Sequence, residues 1–485
     1  MNIADAADFA AEIPPNFLVG TATSAFQIEG AVEQDGRTPS TWDAWLGDPS
    51  KAVDGSDARN AVDHYNRMPQ DVALMREAGL DAYRFSVSWS RIFPEPGGAP
   101  NPAGVDFYRR LLQELSDAGI TSVLTLFHWD TPAYLETGDG WLSRDTATAF
   151  ADYAAFMGQE FGDLVDYWCT INEPATVVGN GYASELHAPA RNAGLKALPA
   201  AHHLLLAHGM AVQALRDASV RGKIGMSNVH SPVVPASEKD PLATAGAAIV
   251  DVAYNWLFAD PVLKGEYPWG IEKLTELMGA TIHDGDLEII STPLDFYGLN
   301  YYMPTKIASG PGPDGPVPAS MLIPNGQDPS PVPLPTPVHQ AEWPDRDMTA
   351  YGWPIAPEYL GVMLSRMRDR YPNLPPLLIT EGGVSFEESP DPDRGRVEDH
   401  NRIEYLQDHL RTLFATTSAG GVAEGVNVGG YFIWSLVDNW EWAAGYRQKF
   451  GLVHVDRISL ERTPKASYSW VRDVQRARQS QQPSA

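Results

Sequence analysis

Tyr167-Trp168-Cys169-Thr170-Ile171-Asn172-Glu173-Pro174 is a short apolar run that stops abruptly at a carboxylate followed by proline. Leu377-Leu378-Ile379-Thr380-Glu381-Gly382-Gly383 has the same form, with glycine after the carboxylate. A β-branched run ending this way reads as a strand that delivers its last residue to a C-terminal rim. Either glutamate alone could be a solvated strand-end acid. Two on one rim are the minimal equipment for breaking a glycosidic bond.

Outward from these strands, the chain repeats one unit. Tyr108, Leu111, Leu112, Leu115 and Ala118 are spaced for one helix face, and Gly119 is positioned to end that helix. Ser122-Val123-Leu124-Thr125-Leu126-Phe127 then reads as a strand. The unit before it has a helix through Met75, a stop at Gly79 and a strand from Ala82 to Val87. Candidate strands fall at residues 17–20, 81–87, 122–127, 167–171, 223–227, 294–299, 376–380 and 430–434. Eight parallel strands separated by helices predict a (β/α)8 TIM barrel of the α/β class. A single catalytic domain over residues 1–485 is expected, with a core of about 14–475, short flexible tails and long loops over the C-terminal face. A doubly wound sheet would also alternate, but no glycine-rich phosphate turn opens a helix here. Residues 310–344, dense in Pro and Gly, break the rhythm. The strand pattern resumes after them, so they predict a loop over the barrel's mouth rather than a linker.

The chain has 485 residues, and its net charge of −27 argues against nucleic acid or an anionic membrane surface as partner. Its one cysteine, Cys169, cannot form an internal disulfide and reads as a small buried strand residue. Residues Met1 to Asp8 are acidic and lack a basic region before an apolar core, so no signal peptide is expected. No apolar stretch of roughly 18 residues is evident, which predicts no membrane span. The expected location is cytoplasmic, and a homo-oligomer stays open.

A retaining glycosidase needs a nucleophilic carboxylate and a second carboxyl that rests protonated. The nucleophile needs a cation or strong donors beside it. Arg84, in Tyr83-Arg84-Phe85-Ser86-Val87, points into the barrel if Ala82 does. An inward arginine requires a carboxylate partner. A salt bridge in the barrel floor and a clamp on Glu381 both fit that spacing. Sugar recognition needs polar groups for hydroxyls and aromatic faces for the C–H side of the ring. Gln27, His128-Trp129, Asn172, Asn300-Tyr301-Tyr302, Trp434 and Glu441-Trp442 all fall just beyond strand ends.

These motifs resemble glycoside hydrolase family 1, the retaining β-glucosidase and β-galactosidase group. The likeness runs from Phe17-Leu18-Val19-Gly20-Thr21-Ala22-Thr23-Ser24-Ala25-Phe26-Gln27-Ile28-Glu29-Gly30 to Arg462-Thr463-Pro464-Lys465. It implies that Glu173 is the acid/base and Glu381 the nucleophile, with Arg84, Asn300 and Tyr302 in support. It implies a terminal-sugar subsite built from Gln27, His128, Asn172, Trp434, Glu441 and Trp442. Trp129 and Phe450 join the substrate-binding residues, and Trp353 would contact the leaving group. A non-proline cis peptide at Trp434-Ser435 is implied as well. The implied activity is hydrolysis of terminal non-reducing β-D-glucosyl residues from small or oligosaccharide β-glycosides, without a cofactor.

Three departures from the family pattern stand out. Gly382 follows the nucleophile where Asn is usual, removing a side-chain contact and freeing the local backbone. Glu185-Leu186-His187-Ala188-Pro189-Ala190 lacks flanking glycines, and Pro354 stands where an acidic residue is common. Both of these fall on the leaving-group side. Glu at both catalytic positions disfavours a thioglucosidase, and Glu441-Trp442 would repel a 6-phosphate. No metal is expected: His202, His203 and His208 share a helix without carboxylates at ligand spacing. β-Galactosidase, β-fucosidase or broad β-glycosidase activity, transglycosylation, and a non-catalytic sugar-binding barrel stay open.

Overall fold

The computed structural model describes residues 5–311, 338–390 and 395–481. Eight strands close into one parallel barrel: β1 (Leu18–Ala22), β2 (Ala82–Ser86), β3 (Thr121–Phe127), β4 (Tyr167–Asn172), β5 (Lys223–Val229), β6 (Tyr297–Asn300), β7 (Leu377–Gly382) and β8 (Val428–Trp434). Each pairs with its sequence neighbour, and Leu18 opposite Gly430 closes the ring. All eight coincide with the predicted strands within a few residues, as the (β/α)8 reading requires.

The connections follow from local sequence. Asn101 caps helix Pro102–Asp117 by accepting from the Ala103 N–H, and Pro102 takes the first turn, where its missing N–H costs nothing. Gly79 and Gly119 end two helices with φ of 68° and 69°, a left-handed geometry that spares glycine the Cβ clash. Leu80 and Ile120 then bond back to Met75 and Leu115, which turns the chain into β2 and β3.

Side chains alternate across each strand. In β2, Tyr83 and Phe85 pack outward in the helix–barrel core, while Ala82 lies inside with Val123, Leu378 and Phe432. Arg84 is therefore internal. The two strands that carry the glutamates break this alternation: β4 shifts register between Cys169 and Asn172, and β7 between Ile379 and Glu381. With Leu378 inside and Ile379 outside, strict alternation would turn Glu381 away from the barrel axis. The irregularity re-aims it.

Two expectations need correcting. Residues 5–13 and 476–481 are not tails. Helix Ala6–Glu12 buries Phe9 fully against Trp470, with ring centroids 5.1 Å apart, and the last helix continues to Gln481. The helical run Pro241–Lys264 is long and apolar enough, by length and composition, to cross a membrane. In the fold, 56% of its most apolar window is buried. Ala247 and Val250 pack on a small sheet formed by Val233–Pro235, Thr305–Ser309 and Val338–Gln340, which accounts for that composition. The predicted loop over the mouth falls mainly on residues 312–337, outside the described residues; its described flanks are the last two of those strands.

Candidate active site

Glu173 directly follows β4 with φ at 47°, and Pro174 starts a short helix behind it. Trp129 (φ 76°) and Trp442 (φ 49°) share this left-handed backbone. For non-glycine residues such conformations cost on the order of 1–3 kcal/mol each and persist where the surroundings enforce them. All three face one cavity of about 720 Å³, mouth included, at the C-terminal end of the barrel. Glu381, His128, Trp434, Glu441, Tyr302, Trp353 and Phe450 line the same cavity.

Glu381 is held from two sides. Arg84 Nη1 donates to its Oε1 at 2.5 Å, and the Tyr302 hydroxyl donates to Oε2 at 2.7 Å. Both Arg84 and Glu381 are almost wholly buried, so neither charge could stand alone without a large desolvation cost. Arg84 also donates through Nη2 to Asn172 Oδ1 at 2.7 Å. The floor bridge and the clamp on Glu381 are thus one interaction.

Asn172 fixes the next partner. Its Oδ1 must face the guanidinium, which can only donate, so its Nδ2 faces His128 Nε2 at 3.1 Å. That nitrogen accepts, which leaves the ring proton on Nδ1. Burial, with Arg84 nearby, holds His128 well below the usual histidine range, so the ring is neutral.

Glu173 has a different set of partners. Asn300 Nδ2 donates to its Oε1 at 2.7 Å, and Asn300 is itself oriented by Thr380 Oγ1 bonding its Oδ1. The Thr176 hydroxyl lies 2.8 Å from Oε2. An amide N–H can only donate, so a proton on this carboxyl belongs on Oε2. Burial, followed by the charge of Glu381, pushes Glu173 up to about 8, against the weaker opposing pull of its hydrogen bonds and Arg84. Glu441 is pushed up to about 8 for the same two leading reasons, and Gln27 Nε2 donates to its Oε2 at 3.2 Å.

An aromatic wall completes the pocket. Trp129 and Trp442 have centroids 4.6 Å apart, and His128 lies nearly parallel to Trp434 at 5.8 Å. Trp353 stacks on Tyr351 at 4.4 Å and 3°. A wall of ring faces beside converging polar groups fits a sugar, whose C–H face is apolar and whose hydroxyls lie at the edge. Every residue predicted for the site converges here. Arg84, Asn172, Asn300 and Gln27 each hydrogen-bond a side chain that lines the cavity: Glu381, His128, Glu173 and Glu441 in turn.

Residues 9–480 match the family described as glycosyl hydrolase family 1. The chain belongs to this family. It is a glycoside hydrolase. Among its relatives, a bifunctional β-D-glucosidase/β-D-fucosidase of Bifidobacterium breve is 38% identical over 469 residues, covering 95% of this chain and 97% of the relative. Thermostable β-glucosidase B of Thermobispora bispora is 40% identical over 477 residues, covering 98% of this chain and 93% of the relative. The solved psychrophilic β-glucosidase of Micrococcus antarcticus superposes with a TM-score of 0.87 at 41% identity, covering 98% of this chain and 99% of that one.

The departures from the family 1 pattern have visible consequences. Gly382 does not use its backbone freedom, since its φ is not in the left-handed region. A different constraint acts here: a Cβ would come 2.2 Å from the Tyr431 hydroxyl and 2.6 Å from its ring, so the Tyr431 side chain would have to shift. The Tyr431 ring fills the space that a side chain after Glu381 would need. Leu186 and His187 reach the cavity, whereas Pro354 pairs with Met348 in an isolated bridge. The Trp434-Ser435 peptide is cis, as the family implies. Tyr301 turns outward and donates to the Ala356 carbonyl, leaving Asn300 and Tyr302 to face the site.

Sequence reading did not single out Thr176, Asn180 or Tyr351, all of which line the cavity. Thr176 stands one helical turn after Glu173, and Tyr351 stands two residues before Trp353. Those spacings were the available signals. His202, His203 and His208 diverge to separate partners, Asp286 with Tyr267, the Trp141 carbonyl, and Thr170.

Proposed function

We propose that the protein is a retaining β-glucosidase acting on terminal non-reducing β-D-glucosyl residues. The carrying observation is that two carboxyls facing one cavity have opposite partners: a guanidinium and a phenol on Glu381, neutral donors on Glu173. Glu381 attacks the anomeric carbon as Glu173 Oε2 gives its proton to the departing glycosidic oxygen. The C–O bond to the leaving group breaks as the bond to Glu381 forms. The covalent ester cancels the Glu381 charge, which removes one of the two leading causes raising Glu173. Glu173 becomes a better-ionised base and takes a proton from the water that releases the sugar, so both steps run in one site.

Glucose fits the Glu441–Trp442 pair, where the carboxyl can hydrogen-bond the 4- and 6-hydroxyls. The relatives' β-glucosidase names support the same sugar, and the Bifidobacterium breve name makes β-D-fucosides the second substrate to try. Replacing the nucleophile tests the assignment. Glu381→Ala is expected to lose turnover of p-nitrophenyl β-D-glucoside by more than about 10⁴-fold, and azide or formate should restore part of it. Undiminished hydrolysis by that variant would sink the reading.

A further inference from the structure

Tyr351 is a cavity-lining residue with a buried ring that stacks on Trp353 and lies 5.9 Å from Phe450. Gly352, at φ 73°, turns the chain so that residues 351 and 353 lie face to face. Thr349 Oγ1 anchors this turn by accepting from the N–H groups of Tyr351 and Trp353. The ring is therefore fixed, and its hydroxyl has a defined position. Tyr302 and Tyr301 spend their hydroxyls on Glu381 and the Ala356 carbonyl. The Tyr351 hydroxyl engages no group among the described residues, and it is not among the sealed-off polar atoms of the interior. A fixed, unengaged hydroxyl in a ligand cavity is available to a ligand.

Its surroundings say which part of the ligand. Tyr351 stacks on Trp353, the leaving-group wall, and packs with Ala444 and Phe450 of the segment that carries Glu441. Glu441 is also the carboxylate whose field reaches its phenol, whereas Tyr302 feels Glu381, Glu173 and Glu441 together. In a pyranoside, C1 and C5 both bond the ring oxygen, so the leaving group and C6 flank the same ring edge. The 4-hydroxyl is one carbon farther from the leaving group. A side chain that joins the leaving-group wall to the 4-/6-hydroxyl end lies beside C6. We infer that Tyr351 is a specificity-determining residue that reads the substituent on C5, its phenol hydrogen-bonding the 6-hydroxyl of a bound hexoside. Burial keeps the phenol neutral far above its ordinary range, so it can donate or accept at any working pH.

This inference rests on the β-glycosidase reading above, and matched sugar pairs separate the two. Glucoside and xyloside differ only in the presence of the hydroxymethyl group. Galactoside and fucoside differ only in the 6-hydroxyl. Tyr351→Phe keeps the ring and removes one oxygen. On the four p-nitrophenyl β-D-glycosides, the glucoside/xyloside and galactoside/fucoside ratios of kcat/KM are expected to fall by about five- to tenfold. Xyloside and fucoside turnover should stay within about twofold of the parent. For any glycoside not turned over, Ki against the glucoside substitutes for kcat/KM. Equal loss on all four, or no loss on the hexosides, would overturn the role of Tyr351 alone. A parent enzyme that neither hydrolyses nor binds any of the four would overturn the β-glycosidase reading, and this inference with it.

Discussion

Glu173 just beyond β4 and Glu381 near the end of β7 each have a register irregularity behind them. What surrounds them differs. Glu381 is paired with a buried guanidinium and a phenol, while Glu173 receives only an amide and a threonine hydroxyl. The charge of Glu381 then helps raise its neighbour to about 8. On the proposed mechanism, the contrast puts the division of labour in the donors behind each carboxyl, not in the carboxyls or their strands. Arg84 and Asn300 meet on Asn172 Oδ1, so one asparagine joins the two halves of the machine.

The sharpest way to break this contrast is to remove the acid alone. Glu173→Gln should lose about 10²–10⁴-fold on alkyl β-glucosides, whose leaving oxygen needs a proton, and far less on a 2,4-dinitrophenyl glucoside, whose does not. Equal losses on both substrates, measured as kcat/KM, would contradict an acid role. Arg84→Met attacks the other half. Removing one partner of a buried pair costs about 3–5 kcal/mol, so thermal unfolding should show a clear drop in melting temperature. Turnover should fall whatever the leaving group. The smallest expected effect belongs to Thr176→Val. The Thr176 hydrogen bond lowers Glu173, so its loss should move Glu173 further above 8. Activity needs Glu173 protonated and declines as pH rises through its pKa, so the alkaline limb of the pH–rate profile should shift upward, with kcat changing about two- to fivefold.

The fold was legible because helix stops and strand ends announce themselves. Gly79 and Gly119 mark turns that only a left-handed residue makes without strain. Site residues at strand ends were legible for the same reason, since a barrel sends every such residue to one rim. The irregularities in β4 and β7 were not legible. Alternation alone turns Glu381 outward, and nothing in Ile379-Thr380-Glu381 marks the shift. Tyr351 and Thr176 were missed because a loop or a helical turn, not a strand end, brings them to the cavity. Helix Ala6–Glu12 is not legible locally, since the ring it buries, Phe9, packs on Trp470 at the far end of the chain.

If Glu381's charge helps hold Glu173 protonated, titration of Glu173 in glutamate-labelled protein will report it, with the signal assigned by its loss in Glu173→Gln. Glu173 should titrate at about 8 in the parent and at a clearly lower pH in Glu381→Gln, where the neighbouring charge is gone. An unchanged titration in that variant, or one near the ordinary glutamate value in the parent, would contradict the account.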